Sequence, residues 1–388
     1  MKQILFAHDG PVYKTDTDKY YGVDYNTNLK NRYLYLGDRL TFLTRVRRME
    51  EGMRLTPIEG SDFNVVAVPD FKVIKKYYSY KRQAIDIIKS AVKKSDILII
   101  RLPSSIGLIA LKYAIAYKKK YIIELVACPW DGYFYHSMLG KIIAPYMYFK
   151  TKAAVRYAPY VMYVSNQFLQ NRYPTNGYQF SCSDVTLPMI NENLLLDRLD
   201  KIRTKKREDT IIIGTVGALN MKYKGQQYVI KAIKSLVKEG YQVEYHLVGG
   251  GDFSYLKELA KKRGVENHVK FVGAIPHNEV FNFMKEIDIY IQPSNVESHG
   301  RVIIEAFSTA CPVIGSSTGG IPELIEDDFI FKRKSVGDLV KKIKKMINSD
   351  FALVSKNNFD KAFAFEQSNL NGQRKDYYDE FLKTRNEK

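Results

Sequence analysis

Short apolar runs bounded by turn residues recur along the chain, and stretches of helical length with one apolar face lie between most of them. In the first half this pattern predicts strands near 2–7, 40–46, 63–68, 96–101, 121–127, 160–164 and 184–188. Helices are predicted near 76–93, 104–118, 135–157 and 166–172. Between Asn191 and Thr210 the chain turns strongly charged, with Lys201, Arg203, Lys205, Lys206 and Arg207 close together, before Ile211-Ile212-Ile213 opens a second pattern. That pattern predicts strands 211–216, 241–248, 268–272, 287–292 and 312–315, alternating with helices 225–238, 254–264, 277–285 and 300–310. The alternation is α/β, two successive Rossmann-like units with domains at 1–190 and 191–366. The last helix, 367–388, has no strand partner of its own and is expected to cross back onto the first domain.

At 388 residues the chain is too long for one ordinary core and suits two domains. Its 45% hydrophobic and 26% charged residues describe a folded protein rather than a disordered or fibrous one. The net charge is +18, of which residues 1–190 carry +13. A basic face of that kind attracts polyanions: nucleic acid, acidic lipid or phosphorylated substrate. Cys128, Cys182 and Cys311 are widely spaced without a CxxC pair, which argues against a disulfide framework or zinc site and for a reducing cytoplasm. The N-terminus turns polar at His8-Asp9-Gly10, short of a signal peptide, and no apolar stretch reaches the length of a membrane span.

The chemistry concentrates at 292–306. A buried strand is predicted to end at Gln292, a loop follows, and a helix starts near Gly300, so the amides of Ser298, His299 and Gly300 face the crevice at the strand's carboxyl end. Such a helix start suits phosphate, with Arg301 adjoining. Glu297 and Glu305 bracket it; carboxylates repel phosphate, so their use to a ligand is to accept hydrogen bonds from hydroxyls on either side of an anion. From the spacing alone, a solvated loop charge and a solvated helix residue fit equally well.

A second loop at a strand's carboxyl end carries Gly217, Lys222, Lys224 and Gly225, glycines with ammonium groups able to neutralise a diphosphate. With these motifs in order, the chain resembles the retaining glycosyltransferases of family 4, which adopt the GT-B fold of two facing Rossmann-like domains with a deep interdomain cleft. The resemblance covers 211–326: the Gly217 turn with Lys224-Gly225, Val248-Gly249-Gly250-Gly251, Phe271-Val272-Gly273, Pro293-Ser294, the Glu297 and Glu305 pair, Cys311-Pro312-Val313 and Gly319-Gly320-Ile321-Pro322-Glu323.

The resemblance implies a metal-independent retaining transfer of a sugar from a nucleotide-diphospho-sugar, a substrate and not a cofactor, to a saccharide or lipid-linked saccharide bound by the first domain. It implies that Glu305 binds the donor ribose, Glu297 orients the donor sugar, the backbone near His299 and Gly300 holds the diphosphate, and Lys224 stabilises its departing charge. Surface polysaccharide or glycolipid assembly follows as the setting, with the protein cytoplasmic and peripheral on the inner membrane face. Two alternatives stand beside it: a sugar-nucleotide epimerase of the same architecture, and a catalytically silent nucleotide-sugar-binding subunit.

Family members usually carry an arginine after the first-turn glycine, where this chain has Ala218; Lys222 or Arg301 are the candidate replacements. In the first domain Asp131 is the candidate polar group at the sugar's reacting face, with His136 the runner-up; a turn-forming Asp and a helix-surface His are the alternatives. Asp16-Thr17-Asp18 has a metal-binding form but is read as a solvated turn, and the six histidines show no metal-ligand spacing, so no metal site is expected. The segment 139–157 mixes apolar and aromatic residues with cations, as interfacial helices do, and with Lys75, Lys76, Lys81, Arg82 and Lys118 to Lys120 suggests an anionic membrane. A core helix with a solvated basic edge fits that segment as well. No nucleic-acid module appears.

Overall fold

The computed structural model describes the chain except residues 23–24, 51–52, 54, 72–76, 136, 207 and 385–388, and gives the backbone alone for 77–79. It comprises two compact units: Met1–Cys182 with Asn371–Lys388, and Ser183–Leu370.

The first unit holds strands β1 (Gln3–Lys14), β2 (Tyr20–Gly22), β3 (Arg39–Arg48), β4 (Thr56–Pro57), β5 (Phe63–Ala67), β6 (Ile97–Leu102), β7 (Lys120–Leu125), β8 (Tyr160–Tyr163) and β9 (Tyr178–Ser181). Seven pair in parallel as β5-β3-β1-β6-β7-β8-β9, and β2 and β4 add an antiparallel extension at the far end of β1. Central β6 is buried at every position, as expected of a parallel strand covered on both faces. Asp9 accepts from Ser104 Oγ and from the amides of Ser105 and Ile106, so it caps the helix Ser105–Ala116.

Two expectations for this half are corrected. The strand at 184–188 does not form: Ser183 Oγ accepts from the Val185 amide, Pro188 has no amide to offer a ladder, and the edge strand is instead β9. The helix expected at 135–157 forms as Met138–Arg156, started by the Ser137 hydroxyl, which accepts from the Gly140 amide at 3.0 Å; a short helix, Pro129–Phe134, precedes it. The units part at Cys182/Ser183 rather than at 190/191. The charged stretch at 191–210, for which no helix is predicted, contains one, Asn193–Thr204, and Arg198 donates 2.6 Å bonds to the carbonyls of Met284 and Ile287. Arg198 and Lys201 cap the end of the helix His277–Glu286 and so fasten this charge-rich segment to the second unit. At the other end of the chain, Tyr377 stacks on Phe180 and Tyr160 OH bonds Thr384, so the end of the final helix, Gln367–Lys383, packs on β8 and β9.

The second unit holds β10 (Ile211–Val216), β11 (Val243–Val248), β12 (Val269–Gly273), β13 (Ile289–Gln292), β14 (Val313–Ser316) and β15 (Ile330–Phe331). All pair in parallel in the order β12-β11-β10-β13-β14-β15. The chain therefore winds outward one way from β10 and the other way from β13, and the crevice opened by that reversal lies at their carboxyl ends.

Asp288, just before β13, is buried; it accepts from the Ile212 amide at 2.8 Å and pairs with Lys201 and Lys205. Burial favours the neutral acid, but Lys201, Lys205 and that amide outweigh it and hold the pKa low. Its contribution is thus present above about pH 3.9, the unfolded value, and lost as pH falls through the lower folded one. Asp288→Asn, which leaves two lysines without their carboxylate, is expected to cost about 3 kcal/mol in urea unfolding near neutral pH. A loss below about 1 kcal/mol would remove this pair from the account of the unit's stability.

Candidate active site

Two loops meet at the reversal. From β10 the chain passes Gly217 and Ala218, makes a single turn at Lys222–Lys224, and enters the helix Gln226–Lys238 at Gly225. Gly225 has φ 84°, and a Cβ there would lie 1.9 Å from the Pro293 carbonyl oxygen, so only glycine lets this loop touch the one that follows β13. The Asn295 amide donates to the Tyr223 carbonyl at 2.7 Å and joins the loops a second time. On the other side Gly300, φ 90°, precedes the helix Arg301–Ser308, whose first amides have no intrahelical acceptor.

The carboxylates are held from below. Tyr290 OH donates to Gln292 Oε1, and Gln292 Nε2 donates to Ser294 Oγ at 2.8 Å and to Glu297 Oε2 at 3.2 Å. Burial pushes the Tyr290 hydroxyl far up in pKa, with Glu305 and Glu297 adding to it, so the phenol stays a neutral donor between the two carboxylates. Lys224 Nζ stands 3.4 Å from Glu297 Oε2. Glu305 is buried and accepts from His277 Nε2 at 3.2 Å. His299 Nε2 lies 2.6 Å from Ser183 Oγ, and burial pushes its pKa down, which keeps the ring neutral.

This arrangement is a basic and glycine-lined crevice with two anchored carboxylates, and it has counterparts in known proteins. Residues 197–362 match the family described as "Glycosyl transferases group 1". Protein CapJ of Staphylococcus aureus is 34% identical over 349 residues, spanning 89% of this chain and 87% of that protein. The chain belongs to the group 1 glycosyl transferases.

Solved structures agree on the fold of this glycosyltransferase. Sucrose-phosphate synthase from Thermosynechococcus elongatus matches with a TM-score of 0.71 at 17% identity, over 98% of this chain and 99% of that one. HepE of Anabaena, solved in complex with UDP, matches with a TM-score of 0.65 at 18% identity, over 96% and 98% of the two chains. The fold is GT-B, two Rossmann-like parallel-sheet units.

Within the glycosyltransferase's second unit, Gly217, Lys224, Glu297, Ser298, His299, Gly300, Arg301 and Glu305 all lie on the two loops or the helix starting at Arg301. Arg301 acts electrostatically on both His277 and His299. Lys222 differs from Lys224: its ammonium rests 4.5 Å from the centre of the Tyr255 ring. The Ala218 carbonyl accepts from Gln226 Nε2 at 3.2 Å. Asp131 belongs to the first unit, where its carboxylate pairs with Arg172 at 3.3 Å; His136 lies outside the described residues. Asp16 pairs with Arg48 and Asp18 with Lys14, and among the described residues no three His, Cys, Asp or Glu side chains cluster as metal ligands do.

Sequence reasoning missed Gln292, His277 and Ser183. A glutamine closing the otherwise apolar run Ile289-Tyr290-Ile291 was a usable signal, because a buried amide needs partners. Asn295 Oδ1 and Thr318 Oγ1 are also buried at the carboxyl ends of β13 and β14, without a hydrogen-bond partner.

The bond to Glu305 raises the His277 pKa against the opposing effect of burial. The stabilising contribution of protonated His277 is therefore full below about pH 6.5 and is lost as pH rises through the higher folded value. An NMR titration of the His277 ring is expected to give a midpoint above that of a free imidazole, and Glu305→Gln is expected to bring it down. An unchanged midpoint in the variant would break the link between the two residues.

Proposed function

We propose that the second unit binds a nucleotide-diphospho-sugar at the β10/β13 reversal and that the enzyme transfers the sugar with retention to a saccharide or lipid-linked saccharide, the first unit supplying the acceptor's seat. The observation that carries this reading is the joining of the two loops, which sets Lys224 beside Glu297 above a fixed glutamine and puts a helix start next to them. The bound diphosphate accepts from the amides at 298–300 and takes over Lys224. Glu297, released from the ammonium but still held by Gln292, accepts from sugar hydroxyls. Glu305 accepts from the ribose hydroxyls in the same way.

In the transfer the acceptor hydroxyl attacks the anomeric carbon on the face the diphosphate leaves. The new C–O bond forms as the old one breaks, and the acceptor's proton passes to a diphosphate oxygen. No protein nucleophile takes part, which sets the two carboxylates apart from the paired acids of glycosidases. Lys224 and the amides meet the charge that grows on the leaving group, and such stabilisation is the largest catalytic contribution in most enzymes. Retention, metal independence and a setting in surface polysaccharide or glycolipid assembly, peripheral on the cytoplasmic face of a membrane, are parts of this same reading. They follow from the family resemblance together with the basic first half.

A thermal-shift screen across UDP-, GDP- and ADP-sugars is expected to pick out one base; stabilisation by none would count against donor binding. With that donor and an acceptor that turns over, Lys224→Ala is expected to lower kcat about a hundredfold. Lys222→Ala, a residue stacked on Tyr255, is expected to cost several-fold less, and equal losses would place both ammonium groups on the diphosphate. Activity is expected to persist in a chelator, whereas loss restored by Mg²⁺ would require a metal in the site. The anomeric configuration of the product, read by NMR, decides retention against inversion.

A further inference from the structure

The helix Met138–Arg156 has two unlike faces. Gly140, Ala144, Met147, Thr151 and Val155 are buried and hold it to the first unit. On the opposite side Met138, Leu139, Ile142, Tyr146 and Phe149, with Tyr157 just past its end, are each between 57% and 76% exposed. At about 100° per residue these six positions fall within a single arc of about 100°, directly away from the buried stripe. The described residues include fifteen exposed large hydrophobic side chains, and six of them belong to this arc, so the patch is a concentration and not the ordinary scatter of surface apolar residues.

Its charges are one-sided. The helix carries Lys141, Lys150, Lys152 and Arg156 and no Asp or Glu. Lys150 Nζ lies 5.6 Å from the Tyr146 ring centre and Arg156 5.9 Å from that of Tyr157, so cations stand beside the aromatic rings at the patch. A convex helix face of long apolar side chains, with amphipathic tyrosines and cations near it, is the form that lies in a membrane interface, its apolar side in the acyl boundary and its ammonium groups among headgroups. Among the described residues no helix is long and apolar enough to cross a membrane.

We propose that this helix face docks the enzyme on an anionic bilayer, with Ile142, Tyr146 and Phe149 entering the acyl boundary and Lys141, Lys150 and Arg156 meeting acidic headgroups. The proposal deepens the lipid-linked acceptor reading, and rests on it for the purpose of docking, but it is tested without donor or acceptor.

The test is sedimentation of the full chain with vesicles of phosphatidylcholine alone and with added phosphatidylglycerol. Pelleting is expected with the acidic vesicles and is expected to weaken as salt rises. The double variant Ile142→Asp, Phe149→Asp is expected to lose binding about tenfold or more, and Lys141→Gln with Lys150→Gln to lose mainly the preference for acidic lipid. If the aspartates impair folding, judged by circular dichroism, Ile142→Ser with Phe149→Ser serves in their place. Equal recovery in the supernatant with all vesicles overturns the proposal, as does vesicle binding that both apolar variants leave unchanged. Concentration-dependent self-association abolished by those variants, without vesicle binding, also overturns it and gives the face to a second copy of the chain. Thermal stabilisation by the donor, a property of the second unit, stays the same in every variant, so failure here leaves the donor reading standing.

Discussion

The close approach of the Gly225 backbone to the Pro293 carbonyl is the constraint on which the second unit's chemistry depends. Two parallel strands that diverge from a reversal leave a crevice, but a crevice is not a site until its walls are set at a fixed distance. Here a left-handed glycine and the bond from Asn295 to Tyr223 bring one loop against the other, and only then does Lys224 stand within reach of Glu297. Any side chain at 225 adds both steric overlap and backbone strain, and moves the ammonium away from the carboxylate.

Around that contact the polar groups are arranged in tiers. The lowest is Tyr290, kept protonated by burial and by two carboxylates; above it Gln292 spends its acceptor on the phenol and its donors on Ser294 and Glu297. A glutamine so occupied cannot turn over without breaking bonds in a low-dielectric interior, which makes it a rigid support for the one carboxylate that the proposed sugar would meet. Glu305 has a different support, the exposed imidazole of His277.

Much of this was legible in the sequence, for reasons that differ from place to place. The strands of the second unit stand out because parallel strands buried on both faces read as short apolar runs, Ile211-Ile212-Ile213 and Ile289-Tyr290-Ile291 among them. The loops stand out because close backbone approach requires glycine at 225 and a left-handed backbone favours it at 300. What periodicity conceals is interaction between distant segments. The helix around Arg198 is hidden in a charged stretch until the carbonyls of Met284 and Ile287, which it serves, are in place. Nothing local to His277 signals Glu305, and nothing local to Lys222 signals that its ammonium turns to Tyr255 while Lys224 takes the carboxylate. The strand expected at 184–188 failed because the run Val185-Thr186-Leu187 is apolar enough for a strand but is closed by Pro188 and turned by Ser183.

A nucleoside diphosphate is proposed to sit where the two loops join. A crystal structure of the protein with whichever of UDP, GDP or ADP raises its melting temperature tests this most directly. Diphosphate oxygens are expected within hydrogen-bond distance of the amides at 298–300 and of Lys224 Nζ, with the ribose hydroxyls on Glu305. A nucleotide bound elsewhere, with Lys224 still paired to Glu297 and the crevice unchanged, would contradict it.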